Sequence, residues 1–201
     1  THMAALATAF EWGRLKMQAS VLGYFVHEKV ERFEARPDKA VATPAFFGSF
    51  KVLKNHDLSV RAFYKRMFRM PTFNDLYYTD MGNAFLKPEY AEQFNVGLKY
   101  TRNFEKSPFM RMLDVSVDAY YNKITDKIIA YPKGQQFRWT MLNLGEVEIK
   151  GVDAVLNALF TLGKLEVTTK FQYTYQKAID ITDPADTYYR DQIPYIPWHS
   201  G

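Results

Sequence analysis

The 201-residue sequence contains no cysteine, which removes disulfides, thiol nucleophiles and thiolate metal sites. It has no long apolar run, and a mean hydropathy of −0.32 excludes a transmembrane helix. A transmembrane barrel stays open, because alternating strands average out to polar. Charge of one sign is also scarce. Lys and Arg number 26 against 22 Asp and Glu, interspersed without a basic run, so a nucleic-acid partner lacks its electrostatic footprint. No basic segment followed by an apolar one opens the chain, as a signal peptide would. No Gly-rich phosphate loop and no Gly-x-Ser-x-Gly elbow occurs. His2, His27, His56 and His199 lack metal-ligand spacing. These absences predict a chain that is not an enzyme, with no catalytic residue, no cofactor and no metal.

What is abundant is aromatic: 14 Tyr, 16 Phe and 3 Trp within 47% hydrophobic residues. The apolar residues recur at period two. Leu113, Val115, Val117, Ala119 and Tyr121 alternate with Asp114, Ser116, Asp118 and Tyr120. Leu165, Val167, Thr169, Phe171, Tyr173 and Tyr175 alternate with Glu166, Thr168, Lys170, Gln172, Thr174 and Gln176. A helix would spread these residues around its circumference, so the period predicts strands. Similar alternation runs from Leu15 to Val21, from Leu58 to Tyr64 and from Phe94 to Tyr100. With less regular stretches near 4–12, 45–54, 93–102 and 149–160, about eight strands of about ten residues follow.

The connections alternate too. Short turns are expected at Gly13-Arg14, Asn55-His56-Asp57, 103–108 and 162–164, and long loops near 28–44, 70–92, 132–148 and 177–201. Short turns at one end and long loops at the other is the layout of an outer-membrane barrel. The expected fold is all-β, an antiparallel up-and-down meander of four hairpins in one partial barrel domain, 1–201. Its apolar face would meet lipid and its polar face a wet lumen. The alternation fits equally a soluble β-sandwich or small barrel binding a ligand or partner, with the faces reversed. Phe10, Trp12, Tyr24, Phe25, Phe63, Tyr64, Tyr100, Tyr120, Tyr121, Phe160, Tyr173 and Tyr175 fall near strand ends, as interfacial girdles require. Asp114 with Asp118, and Glu146 with Glu148, read as a hydrated lumen wall rather than as catalytic pairs.

Three stretches, and a fourth after them, carry a resemblance. Phe68-Arg69-Met70-Pro71-Thr72-Phe73-Asn74-Asp75-Leu76-Tyr77 is followed by Gly82-Asn83-Ala84-Phe85-Leu86-Lys87-Pro88-Glu89. Asn143-Leu144-Gly145 then leads through Ile149-Lys150-Gly151-Val152-Asp153, and Ile193-Pro194 through Pro197-Trp198-His199. In this order and spacing they resemble TonB-dependent outer-membrane receptors, importers of cobalamin, iron chelates, haem and some glycans. Ala84 stands where the family has Pro, Asp153 where it has Glu, and Asn95 where its strand has Glu.

The resemblance implies a 22-stranded barrel in the bacterial outer membrane, closed by an N-terminal plug. It implies uptake powered by the inner-membrane TonB complex acting through that plug. This chain reads as a fragment cut at both ends, lacking the plug and the terminal strands, with lipid and the rest of the receptor as partners. Its expected structural residues are Arg69, Pro71, Leu76, Tyr77, Gly82, Asn83, Leu86, Pro88, Glu89, Asn143, Gly145, Gly151 and Asp153. The glycines are expected at turns or bulges. Extracellular loops of such a receptor must grip a bulky, partly apolar ligand of unknown identity. The candidates are Tyr77, Tyr78, Phe137, Arg138, Trp139, Tyr188, Tyr189, Arg190 and Trp198.

Overall fold

Each alternating stretch pairs with the stretch that follows it. The computed structural model describes residues 2–27, 38–53, 57–79, 81–133, 138–193 and 196–201. The strands are β1 (His2–Trp12), β2 (Leu15–Val26), β3 (Lys39–Lys51), β4 (Asp57–Arg69), β5 (Glu89–Asn103), β6 (Met110–Lys133), β7 (Arg138–Leu162), β8 (Leu165–Asp180) and β9 (His199–Ser200). One short helix, α1 (Phe73–Tyr77), interrupts them. All lie in one antiparallel sheet in chain order. This is the expected meander, with eight long strands and a ninth of two residues.

The register sorts the side chains. Phe10, Met17, Gly48, Ala62, Val96, Ala119, Val152 and Tyr175 are successive partners across β1 to β8. The adjacent row, Gln18, Phe47, Phe63, Asn95, Tyr120, Gly151 and Gln176, points to the other side. Of the expected girdle, Phe63 and Tyr120 stand on this polar face and Tyr24 packs against Phe68 (ring centroids 5.8 Å apart), while the other aromatics keep the apolar face. No second sheet covers the apolar face among the described residues. Val117 is 41% and Phe171 61% exposed, and Val115 and Val167 are half-buried. A soluble sandwich would bury all four, so that alternative fails.

The long connections are shorter than expected. The segment near 132–148 is strand except at its tip, because β6 runs to Lys133 and β7 starts at Arg138. Residues 39–44, 89–92 and 177–180 are likewise strand. Apolar alternation fades in these extensions, but the ladders continue: Ile128 still faces Asn143, and Tyr131 faces Thr140. Positive φ occurs at Gly13 and Gly163, in two of the short turns. The turn residues Asn55 and His56, and Phe137 and Pro194, lie outside the described residues.

Gly145 and Gly151 are strand-interior residues, not turns or bulges. Each allows a close approach. Tyr120 lies flat over Gly151 with its hydroxyl reaching toward Gln176, and a Cβ at Gly151 would overlap the Tyr120 ring. On the same polar face Arg61 of β4 crosses Gly97 of β5 to bind Asp118 of β6. Its Nε donates to Asp118 Oδ1 (3.1 Å) and a terminal nitrogen donates to Oδ2.

The buried core gathers at the long-loop end. Ala91, Ile124, Val147 and Ala178 form one cluster with Ile193 from the segment after β8. Leu76, Leu86 and Ile128 form a second.

Candidate functional site

The second cluster begins with α1. Thr72 caps the helix: its hydroxyl accepts from Asp75 N–H (3.2 Å), and the Asp75 carboxylate accepts from Thr72 N–H (2.9 Å). This reciprocal capping box holds a helix of only five residues. The same carboxylate pairs with Arg69 at the end of β4 (3.2 Å), and Arg69 also reaches Glu89 at the start of β5 (3.5 Å). Glu89 Oε2 accepts the backbone N–H of Ile128 in β6 (3.1 Å). One arginine and two carboxylates thus join three strands and a helix. Pro71 is buried beside them, and Pro88 directly precedes β5.

Gly82 folds the chain back beneath α1, its N–H donating to Tyr78 O (2.7 Å). A Cβ there would lie 2.6–2.7 Å from Leu76 O, Tyr77 N and Tyr78 N, all backbone atoms that cannot rotate away. Gly82→Ala is expected to loosen residues 70–88 by about 1–3 kcal/mol. Limited proteolysis of the intact protein would read this as cleavage there roughly tenfold faster or more.

Next comes the link to the β6–β7 hairpin. Asn83 Nδ2 donates to Met141 O (3.0 Å), while Met141 N–H donates to Met81 O (2.8 Å). Asn143 Oδ1 accepts from Lys87 N–H (2.8 Å), and its Nδ2 donates to Lys87 O (3.1 Å) and Asp126 O (2.7 Å). Asp126 adopts φ +55°, a left-handed conformation that Asp tolerates better than most residues. A third segment docks at Gly145. Thr182 fills the space a Cβ would take, Glu146 N–H donates to Thr182 Oγ1 (3.0 Å), and Ile181 N–H donates to Glu146 O (2.9 Å). The described residues of segments 70–88, 126–146 and 181–193 form one clasp at the long-loop end.

Those hydrogen-bonded positions are largely the ones that carry the sequence motifs, and a family model decides what they mean. Residues 10–201 match the β-barrel model described as TonB dependent receptor-like. The chain belongs to the TonB-dependent receptor family. Two vitamin B12 transporters of the family are 34% identical to it, one from Vibrio vulnificus over 49% of this chain and one from Photobacterium profundum over 53%. The matches span only 14% and 16% of those relatives' own lengths. The solved structure of the copper transporter OprC superposes on 90% of this chain with a TM-score of 0.64 and 17% identity, using 29% of its own length. That likeness shows the fold.

In an outer-membrane receptor barrel the apolar face is the lipid face. One register row of this face carries an aromatic belt: Phe46, Tyr64, Phe94 and Tyr121 contact one another in sequence across β3 to β6, at ring separations of 4.9–6.4 Å. Beyond it the same face turns charged. Glu146 and Glu148 stand there, on the lipid-face parity of β7 and not on the lumen wall. Glu146 pairs with Lys123 (2.7 Å) and Glu148 with Lys150 (2.8 Å). The Glu146 partner, by hydrogen bond and charge, holds the Lys123 ammonium above its usual pKa. The Lys150 hydrogen bond holds the Glu148 carboxyl below its own. Asp114 and Asp118 do line the polar face, where Asp114 accepts from Thr101 (2.8 Å) and pairs with Lys99 (3.2 Å). Asp153 faces Asp118 across the ladder there.

The candidate ligand residues among the described residues fall in four places. Tyr77 is half-buried against Leu76, Leu86 and Ile128, with its ring 5.9 Å from Phe73. Tyr78, Trp139 and Tyr188 stand exposed at the clasp end. Arg138 opens β7 beside Trp139. Tyr189 and Arg190 lie in the tight turn where Arg190 takes φ +69° and donates its N–H to Asp180 O (2.7 Å). Trp198 departs from the rest: it packs edge-on against Tyr175 of the lipid face, beneath Lys177. Sequence reasoning passed over Asp75, Asp126 and Thr182. Of these only Asp75 had a legible signal, its spacing of three from Thr72.

Proposed function

We propose that this chain is part of the barrel of an outer-membrane receptor that binds a scarce nutrient on its long-loop side. Uptake is energised through a plug and the inner-membrane TonB complex. Cobalamin is the nutrient this reading favours, on the strength of the two vitamin B12 transporters among the relatives. The observation that carries the reading is the clasp, which braces three loops at one end and presents Tyr78, Trp139 and Tyr188 to solvent. Braced aromatic residues bind large ligands well, because little conformational freedom remains to be lost. The sheet is open among the described residues, and an open edge in lipid strands unpaired N–H and C=O groups. Closure by further strands satisfies that requirement.

The test is calorimetric titration of the intact receptor with cyanocobalamin, haem and a ferric siderophore. Saturable cyanocobalamin binding is expected, weakened about tenfold by Trp139→Ala or Tyr188→Ala, as a contact worth 1–2 kcal/mol requires. Binding of haem or siderophore instead would remove cobalamin and keep the receptor. Binding of none of the three would remove the nutrient reading.

A further inference from the structure

The polar face has an apolar interruption. Exposed phenylalanines such as Phe10, Phe46, Phe94 and Phe171 stand on the lipid face. Phe47 and Phe63 do not. They are direct partners across β3 and β4 on the lumen face, 41% and 37% exposed. With Gln18, Ser20, Ala45 and Lys65 they border a cleft of about 310 Å³. The hollow exists because Ser20 and Ala45, partners in the next register row, are short beside the two rings. Lys65, the partner of Ala45 on the other side, is the one charged group in the lining and forms no ion pair among the described residues.

The lumen wall from β5 to β8 has the opposite character. Its rows pair Lys99 with Ser116 and Thr101 with Asp114, and run on through Asn157, Gln172 and Lys170. Exposed charges and amides exchange one partner for water at little cost, whereas re-wetting two phenyl rings is unfavourable. Position separates the cleft from the loops as well. Phe47 lies four residues before the end of β3 at Lys51, and Phe63 six residues after the start of β4 at Asp57, both toward the short turns. A nutrient arriving at the long loops meets the clasp first. What rests against the cleft is the domain that fills the lumen.

We propose that the cleft between β2 and β4 seats an apolar side chain of the plug and holds the plug to this wall. The path for the nutrient then opens on the hydrated wall from β5 to β8. Lys65 at the rim pairs with a carboxylate of the plug beside the seated side chain. The inference rests on the plug of the proposed receptor and names its fixed side, whichever nutrient is carried.

The absence of cysteine from this chain lets single thiols report each wall. In the intact receptor, with any cysteine elsewhere replaced by serine, Gln18→Cys marks the cleft and Gln172→Cys the charged wall. Both side chains are exposed in this sheet, so a difference in labelling by fluorescein maleimide reads what covers them. In the resting receptor Gln18→Cys is expected to label about tenfold more slowly than Gln172→Cys. In cells with a working TonB complex, cyanocobalamin should speed labelling of Gln172→Cys by about tenfold and leave Gln18→Cys protected. Adding Ala45→Trp, which fills the cleft, or Phe63→Ser should remove that protection, whereas Val155→Ser on the other wall should not. Equal resting rates at the two thiols would overturn the proposal. So would exposure of both during uptake, or continued protection in Ala45→Trp and Phe63→Ser. If neither thiol responds to cyanocobalamin, cobalamin uptake is removed, and the resting rates and the cleft variants still decide the seat. If Ala45→Trp fails to fold, Phe63→Ser against Val155→Ser supplies the comparison.

Discussion

Replacing Asn143 by alanine is expected to unfasten residues 70–88 from the β6–β7 hairpin while leaving the barrel strands in place. The side chain makes three hydrogen bonds, two with Lys87 and one with Asp126 O. At about 1 kcal/mol each, their loss raises local opening by roughly two orders of magnitude. Hydrogen exchange of the intact receptor checks it. The Lys87 amide and its neighbours should exchange about a hundredfold faster, while amides in the middle of β5 and β7 keep their rates. Asn143→Asp keeps the acceptor for Lys87 N–H and loses both donated bonds, so its effect should be intermediate. Asn157→Ala, on the polar face at the other end of β7, should leave loop exchange unchanged. A slow Lys87 amide in Asn143→Ala would show that packing of Leu76, Leu86 and Ile128 alone fastens the loop.

The second large effect lies on the lumen wall. Gly97→Val places a branched side chain where Arg61 crosses to Asp118, and its Cβ would overlap the Asp118 carboxylate. Either the ion pair separates or the strands shift, at roughly 2–4 kcal/mol. A urea unfolding series on the intact receptor in micelles should show a lower midpoint with unchanged slope. Adding Asp118→Ala removes the group the valine collides with. The double variant should therefore be destabilised by less than the sum of the two single changes. Additive costs would mean that the valine acts independently of Asp118 and its pairing with Arg61.

How far the sequence reached depended on which force held each element. The central strands were legible because lipid on one side and water on the other impose period two, as from Leu113 to Tyr121 and from Leu165 to Tyr175. The extensions of β6 and β7 beyond that band were read as loop, because outside the membrane neither face has to be apolar. Their ladders persist on backbone hydrogen bonds, which leave little mark in composition. The same reason misplaced Glu146 and Glu148, whose alternation runs on after the lipid has ended.

Arg69, Asn83, Glu89, Asn143 and Gly145 stood out one by one as motif residues, with no physical account of why they travel together. Their roles needed the fold. Asn143 and Lys87 are far apart in the chain, and only the β5–β6–β7 register brings one carboxamide against the other's backbone. Gly145 and Gly151 look like any turn glycine in sequence; they are strand residues because Thr182 and Tyr120 occupy the space above them. Trp198 read as a loop aromatic, yet the pairing of His199 with Tyr175 sets it on the lipid face.

The absences the sequence displays, of cysteine and of long apolar runs, left a strand-built membrane protein as an open class, and period-two alternation then determined the meander and its two faces. Tertiary structure alone decided which residues meet across that meander. Alternation is a local consequence of the medium on each side, whereas contact between distant residues depends on the register of every strand between them.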